Sequence, residues 1–187
     1  MTTGRPQGRG EGGCFVVPVF LPHEGCPHRC VFCNQHALSR PSSGRPPARE
    51  WLTAAIDFLR FRGTRRTRSE IAFYGGTFLG LSGKRLRELL SEAAALVREQ
   101  RLDGIRFSTR PDSVSEATLS ILADYPVSTV ELGAQSMSDA VLRESSRGHT
   151  ADDTVKASAL LKSRGYRVGL QLMVGLPGDD DERLAET

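Results

Sequence analysis

The chain has 187 residues, 39% of them hydrophobic and 25% charged, which fits one globular domain large enough for a core. No stretch approaches the ~20 apolar residues of a membrane span, and the start, "MTTGRPQGRGEGG", lacks the apolar core of a signal peptide, so a cytoplasmic chain with no membrane contact is expected. A net charge of +3 does not announce nucleic acid, and four cysteines in such a chain argue for metal or redox chemistry over a disulfide framework.

In chain order, residues 1–13 read as a disordered leader and 14–187 as one core domain. "CFVVPVFLP" is a short β-branched and aromatic run, a buried strand by its length. It runs into a cysteine-rich loop, then into the Pro/Ser/Gly-rich stretch "SRPSSGRPPARE", and then into a helix over "AREWLTAAIDFLRFR". The run "RFRGTRRTR" places Arg60, Arg62, Arg65, Arg66 and Arg68 between that helix and the next strand. It reads first as a solvated loop and, alternatively, as a phosphate-binding patch.

Strand "EIAFYGG" leads to helix "SGKRLRELLSEAAALVREQ", with Ser82 as N-cap and Leu86, Leu89, Leu90, Ala93 and Val97 on one face. Strand "GIRFST" leads to helix "SEATLSILADY". Strand "STVELGAQS" leads to "SDAVLRESS" and on to "ADDTVKASALLKSRG". Strand "RVGLQLMVG" leads to "LPGDDDERLAET", where Asp179, Asp180 and Asp181 read as charges favoured at a helix start. Five strand–helix cycles predict an α/β fold with a parallel sheet and helices outside, open or closed. The last strand is expected as an uncovered edge, which suggests a fragment or a shortened chain.

Functional groups of parallel α/β proteins gather at the carboxyl ends of the strands. "EGCPHRCVFCNQ" leaves the end of the first strand and carries Cys26, Cys30 and Cys33 in a CxxxCxxC spacing. A structural zinc site wants four ligands, usually as two separated pairs, and no second pair exists. A Cys-three-His zinc knuckle using His23, His28 or His36 stays open as an alternative. Three thiolates can also hold a four-iron cluster with one iron left open for a substrate or cofactor.

CxxxCxxC with an aromatic before the last cysteine, after the first strand of an α/β chain, resembles the radical S-adenosylmethionine (SAM) superfamily. The resemblance implies a partial (β/α)6-type radical SAM barrel, with about five β/α repeats present in this sequence. It implies a 4Fe-4S cluster on Cys26, Cys30 and Cys33 whose open iron takes the amino and carboxylate groups of SAM. The cluster then delivers an electron that splits the sulfonium into methionine and a 5′-deoxyadenosyl radical. By the same likeness, "FYGGTF" is the glycine-rich segment that meets the SAM amino group, through Gly75, Gly76 and Thr77. Gln135 at the end of "VELGAQ" is a SAM contact, and Arg147 in "SSRGHT" pairs with the SAM carboxylate, as in coproporphyrinogen-dehydrogenase-like members. A surface helix-end charge is the plainer alternative for Arg147. "GLQLMVGLPG" resembles the segment covering the adenine, with Gln171 where some relatives carry an aspartate to the ribose.

One departure stands at the third strand: relatives often read "ETRPD", and this chain reads "STRPD", with Ser108 in the glutamate's place. Serine can hydrogen-bond but carries no charge. "TRPD", with Arg110 and Asp112, together with "PVFLPHEGCPHRCVFCNQ" and "VELGAQS", resembles the radical-SAM part of the elongator catalytic-subunit family over residues 15–180, without its acetyltransferase half. That likeness implies hydrogen abstraction from a tRNA base, with a flavodoxin or ferredoxin as electron donor. An iron–sulfur binding or electron-transfer module without turnover is the rival reading. Cys14 reads as a buried or incidental thiol without a partner, His149 as a loop or cap residue with a catalytic role as the alternative, and Tyr74 and Phe32 as packing beside the cofactor.

Overall fold

The computed structural model describes residues 14–34, 50, 53–54, 56–57, 68–100 and 102–187. The expected leader, His36, the Pro-rich stretch over 39–49, most of the helix that follows it and Arg60, Arg62, Arg65 and Arg66 lie outside the described residues. Five strands form one sheet: β1 Cys14–Phe20, β2 Arg68–Tyr74, β3 Gly104–Thr109, β4 Val127–Gln135 and β5 Arg167–Leu172. All neighbours are parallel and the spatial order is the chain order, β1-β2-β3-β4-β5. Between them run α1 Gly83–Gln100, α2 Glu116–Leu122, α3 Asp139–Glu144 and α4 Ala151–Ser163, with α5 Asp181–Glu186 after β5. Right-handed crossovers in an unreversed strand order put the helices on one face, as in a barrel wall and unlike a doubly wound sheet.

The helix side of the sheet holds the core. Ile71 and Phe73 of β2, Ile105 and Phe107 of β3, and Val130 and Leu132 of β4 pack with Leu86, Leu89, Leu90, Ala93 and Val97 of α1. The five α1 positions expected on one face are all buried. Ser82 caps that helix, its Oγ accepting the Arg85 N–H at 3.3 Å. Ser115 with Thr118 and Thr150 with Asp153 form reciprocal caps at the starts of α2 and α4. Asp180 caps α5 by accepting the Arg183 N–H.

The other face of the sheet is polar. Glu70 is fully buried there and takes hydrogen bonds from Arg106 (2.8 Å), Ser128 (2.8 Å), Thr129 and Arg167. Arg68, part of the arginine run, pairs with Glu70 at 3.1 Å and so belongs to this cluster. Arg106 also donates to Glu131 at 2.7 Å, and Tyr74 and Ser108 donate to the same carboxylate at 3.3 and 3.1 Å. Arg167 of β5 reaches Glu70 of β2 across two intervening strands. A flat sheet would set those strands about 14 Å apart, so the contact fits a sheet curled toward this face. Among the described residues β5 is an edge, and its Leu170 and Leu172 are 51% and 44% exposed. No helix among the described residues is long and apolar enough to cross a membrane.

The cysteine loop is seated on the segment after β2 by main chain against main chain. Leu21 N–H donates to the Tyr74 carbonyl (2.7 Å), His23 N–H to Gly75 (2.9 Å) and Thr77 N–H to Glu24 (2.8 Å). A Cβ on Gly76 would run into the Glu24 carbonyl and lie 2.9 Å from the Leu21 carbonyl; one on Gly25, at φ 73°, would strike Thr77 and Gly80. Phe78 then anchors the segment by stacking between Phe73 and Phe107, with ring centroids 4.7 and 4.6 Å away.

This contact predicts an asymmetry between two glycines. Gly76→Ala should cost about 1–3 kcal/mol through overpacking, read as a lowered urea midpoint with unchanged slope. Gly83→Ala, in the first turn of α1 where a Cβ meets only the Arg87 guanidinium at 3.2 Å, should be neutral or slightly stabilising. Equal midpoints for the two variants would contradict the seating.

Candidate active site at the carboxyl ends of the strands

Each strand of the wall ends in a loop, and the five loops surround one cavity of about 690 Å³, in the range of small-molecule and cofactor sites. All ten residues that the sequence singled out line it: Cys26, Cys30, Cys33, Gly75, Gly76, Thr77, Ser108, Gln135, Arg147 and Gln171. Phe20, Arg29, Asn34 and Met173, which sequence reasoning did not place there, line it as well, as do His23 and His28, the described histidines of the zinc-knuckle alternative. Phe32 and Tyr74 are in the lining as expected. Cys14 begins β1, about 20 Å of strand away from the loop that β1 feeds. Burial and the nearby Glu70 carboxylate push its thiol upward.

The loop is gripped from two sides. On one, Thr77 Oγ1 lies 3.4 Å from Cys26 Sγ. On the other, "SSRGHT" follows the short α3: Val31 N–H donates to the Ser145 carbonyl at 3.2 Å, and the His28 ring lies where a Cβ on Gly148 would stand. The expected helix "SDAVLRESS" stops at Glu144, because Ser146 turns left-handed (φ 53°) and drives Arg147 inward. Arg147 is therefore a buried residue, 8% exposed, and the surface-charge reading of it is overturned. Its Nη1 lies 3.4 Å from Cys30 Sγ, and its Nη2 donates to the Gly133 carbonyl on β4.

"TRPD" supports this arrangement from beneath. Arg110, 2% exposed, forks onto Asp112 at 2.9 and 2.8 Å and donates its Nη1 to the Arg147 carbonyl. Thr109 Oγ1 accepts the Leu79 N–H at 3.2 Å, tying β3 to the segment after the glycines. Gln135 closes β4 in a left-handed conformation (φ 71°), and its Oε1 is buried with no protein partner, as is Nε of Arg147. Buried polar atoms of this kind call for an explanation, and a non-glycine residue held at positive φ beside a cavity is the sort of strain that collects at ligand sites.

Ser108 does not stand in for a free acid: its hydroxyl is engaged with Glu131 of the neighbouring strand. Burial and Glu131 push the Tyr74 phenol up to about 12, so it stays protonated and donates. Burial opposes ionisation of Glu70, but hydrogen bonds from Arg106 and Ser128 outweigh it and hold the carboxyl below its usual range. None of Glu70, Arg106, Glu131 or Arg167 was found from sequence; the available signal was opposite charges at alternate positions of adjacent strands.

Among the described residues no three His, Cys, Asp or Glu side chains meet closely enough for a single metal ion. A four-iron cluster gives each thiolate its own iron, and Cys26, Cys30 and Cys33 all line the one cavity.

His149 lies in the loop before α4, as the sequence reading had it, but it is buried and does not merely decorate that loop. It is 6% exposed, with Nε2 at 3.2 Å from the Ala134 carbonyl and Nδ1 buried without a partner. Burial first, then the Arg147 and Arg110 charges, push its pKa down to about 4. An unfolded histidine titrates near ~6.5, so between these values the unfolded chain binds the extra proton. His149 thus contributes stability that is complete above pH ~6.5 and is lost as pH falls toward ~4. Between pH 7 and 5 the loss should be about 2 kcal/mol. His149→Gln should flatten that stretch of the urea-stability profile; an unaltered profile would show that another group governs it.

The chain matches the family model described as the Radical SAM superfamily over residues 20–187. It is 30% identical to the tRNA uridine(34) acetyltransferase of Methanocaldococcus jannaschii, covering 91% of this chain and 38% of that protein. Against Elongator complex protein 3 of Saccharomyces cerevisiae it is 27% identical, covering 94% of this chain and 39% of the relative. The solved structure of archaeal Elp3 from Methanocaldococcus infernus superposes with a TM-score of 0.67 at 25% identity, over 91% of this chain and 40% of that one. The chain thus spans about two fifths of the length of these relatives. With a parallel (β/α) wall, a three-cysteine loop at its carboxyl end and a family match over most of its length, the chain belongs to the radical SAM superfamily of enzymes.

Proposed function

We propose that this domain binds a 4Fe-4S cluster through Cys26, Cys30 and Cys33 and SAM beside it, and uses them for hydrogen abstraction from a tRNA base. The observation that carries the reading is the convergence of three cysteines, a buried guanidinium and the unpartnered Gln135 Oε1 on one cavity. A cluster held by Cys26, Cys30 and Cys33 would supply the electron for reductive cleavage of SAM, the chemistry that makes hydrogen abstraction from a substrate possible. The chain's own part is placement and exclusion of water. Arg147 offers charge to a carboxylate, Gln135 Oε1 accepts from an amino or hydroxyl group, and Phe20 and Met173 present apolar surface to a base. The tRNA substrate is proposed from relatives named for tRNA uridine 34. A flavodoxin or ferredoxin is the proposed electron donor.

Replacing Cys26, Cys30 or Cys33 by alanine should abolish uptake of four irons and four sulfides in anaerobic reconstitution, whereas Cys14→Ala should leave uptake whole. Full uptake by the Cys30 variant would remove the assignment. Reduction of the loaded wild-type protein with SAM should yield 5′-deoxyadenosine; a cluster without that product would favour the electron-transfer module.

Hydrogen bonds to charged groups contribute about 1.5–3 kcal/mol, so Arg147→Ala should weaken SAM binding roughly 10- to 150-fold by isothermal titration. Gln135→Ala, losing a bond of about 0.5–1.5 kcal/mol, should weaken it by about tenfold or less. Wild-type affinity in both variants would mean that SAM lies elsewhere.

A further inference from the structure

We infer that Arg147 sets the reduction potential of the cluster by donating a charged hydrogen bond to the Cys30 sulfur. This rests on the reading that the loop cysteines hold a four-iron cluster, and it goes beyond any role of Arg147 toward SAM. The geometry is specific to one of the thiols. Cys26 Sγ faces the neutral hydroxyl of Thr77 at 3.4 Å, whereas Cys30 Sγ faces a guanidinium Nη1 at the same distance.

Arg147 is fixed through its side chain and its main chain. Its Nη2 is bound to the Gly133 carbonyl. Its main-chain N–H donates to the Leu142 carbonyl at 2.9 Å, and its carbonyl accepts from Arg110, itself forked onto Asp112. The left-handed turn at Ser146 aims the residue inward. A main chain held at both its N–H and its carbonyl, with a guanidinium tied to a strand carbonyl, is unneeded for a helix-end charge, and a preorganised donor beside a ligating thiolate is how proteins tune a metal centre.

The physical effect has a definite sign. Adding one electron makes the cluster and its thiolates more negative. A buried positive charge with an N–H directed at a ligand sulfur therefore stabilises the reduced form more than the oxidised form. Hydrogen bonds to the sulfurs and net charge are among the determinants of iron–sulfur potentials. Removing the guanidinium should thus lower the potential and make the one-electron reduction harder. No bond is made or broken in this step; the electron comes from the reductant.

The test is a potentiometric titration with dithionite and redox mediators, without SAM, on the reconstituted full chain and its Arg147→Met and Arg147→Lys variants. The reduced cluster is followed by electron paramagnetic resonance, with iron and sulfide determined for each sample. Arg147→Met keeps length but removes charge and donor, and should disfavour reduction about tenfold, a fall of about 59 mV for one electron. Arg147→Lys keeps the charge but not the fork and should fall between the two. A full cluster in Arg147→Met at the wild-type potential would overturn the inference while leaving the cofactor reading intact. Loss of the cluster from both variants would also overturn it, making Arg147 a structural clamp on the loop. A wild-type chain that takes up no cluster would sink the cofactor reading itself, and this inference with it.

Discussion

The site depends on a contact between two stretches of bare backbone. The loop after β1 lies so close to the segment after β2 that Gly25 and Gly76 have no room for a Cβ. Three main-chain hydrogen bonds close the junction. Amides that would otherwise be orphaned at the strand ends are satisfied by each other, and the first cysteine comes to rest against Thr77. A loop carrying thiolates for a large inorganic group gains from being ordered beforehand, since the ordering entropy is then part of folding and not of binding.

The second grip on the loop comes from far along the chain. "SSRGHT" leaves α3 through a left-handed turn and brings Arg147 to Cys30, Gly148 to the His28 ring and His149 to the Ala134 carbonyl. The cost of burying two guanidiniums and an imidazole here is met locally: Arg110 by Asp112, Arg147 by a strand carbonyl and a sulfur, and His149 by staying neutral. Buried charge is weak evidence for stability. Its persistence at the rim of the cavity is better understood as a cost carried for chemistry.

The inner face of the sheet continues the same theme below the cavity. A barrel interior is commonly filled by layers of branched apolar side chains. Here Glu70, Arg106, Glu131 and Arg167 fill it with matched charges, each carboxylate answered by more than one donor. The network ties β2, β3, β4 and β5 together through side chains as well as through their ladders. It also joins the cavity to the network, since Ser108, which lines the cavity, donates to Glu131, which does not.

The strand–helix alternation and the place of the cysteine loop were legible along the chain. Hydrophobic periodicity and caps are local properties, as at Ser82 and the buried face of α1. The sequence also marked ten residues that fold around one cavity, because family likeness is written in short motifs at strand ends. What it did not reveal is non-local. That Gly76 is a glycine because the chain at Glu24 passes over it depends on two segments some fifty residues apart. That Arg147 is buried against Cys30, and His149 held neutral behind it, depends on the turn at Ser146 and on Arg110 from another strand. The charged interior was hidden for the same reason: a lone Glu in a strand looks solvated until neighbouring strands bring arginines to it. Local propensity can be read along the chain; the partner of a polar group is decided only when distant segments meet.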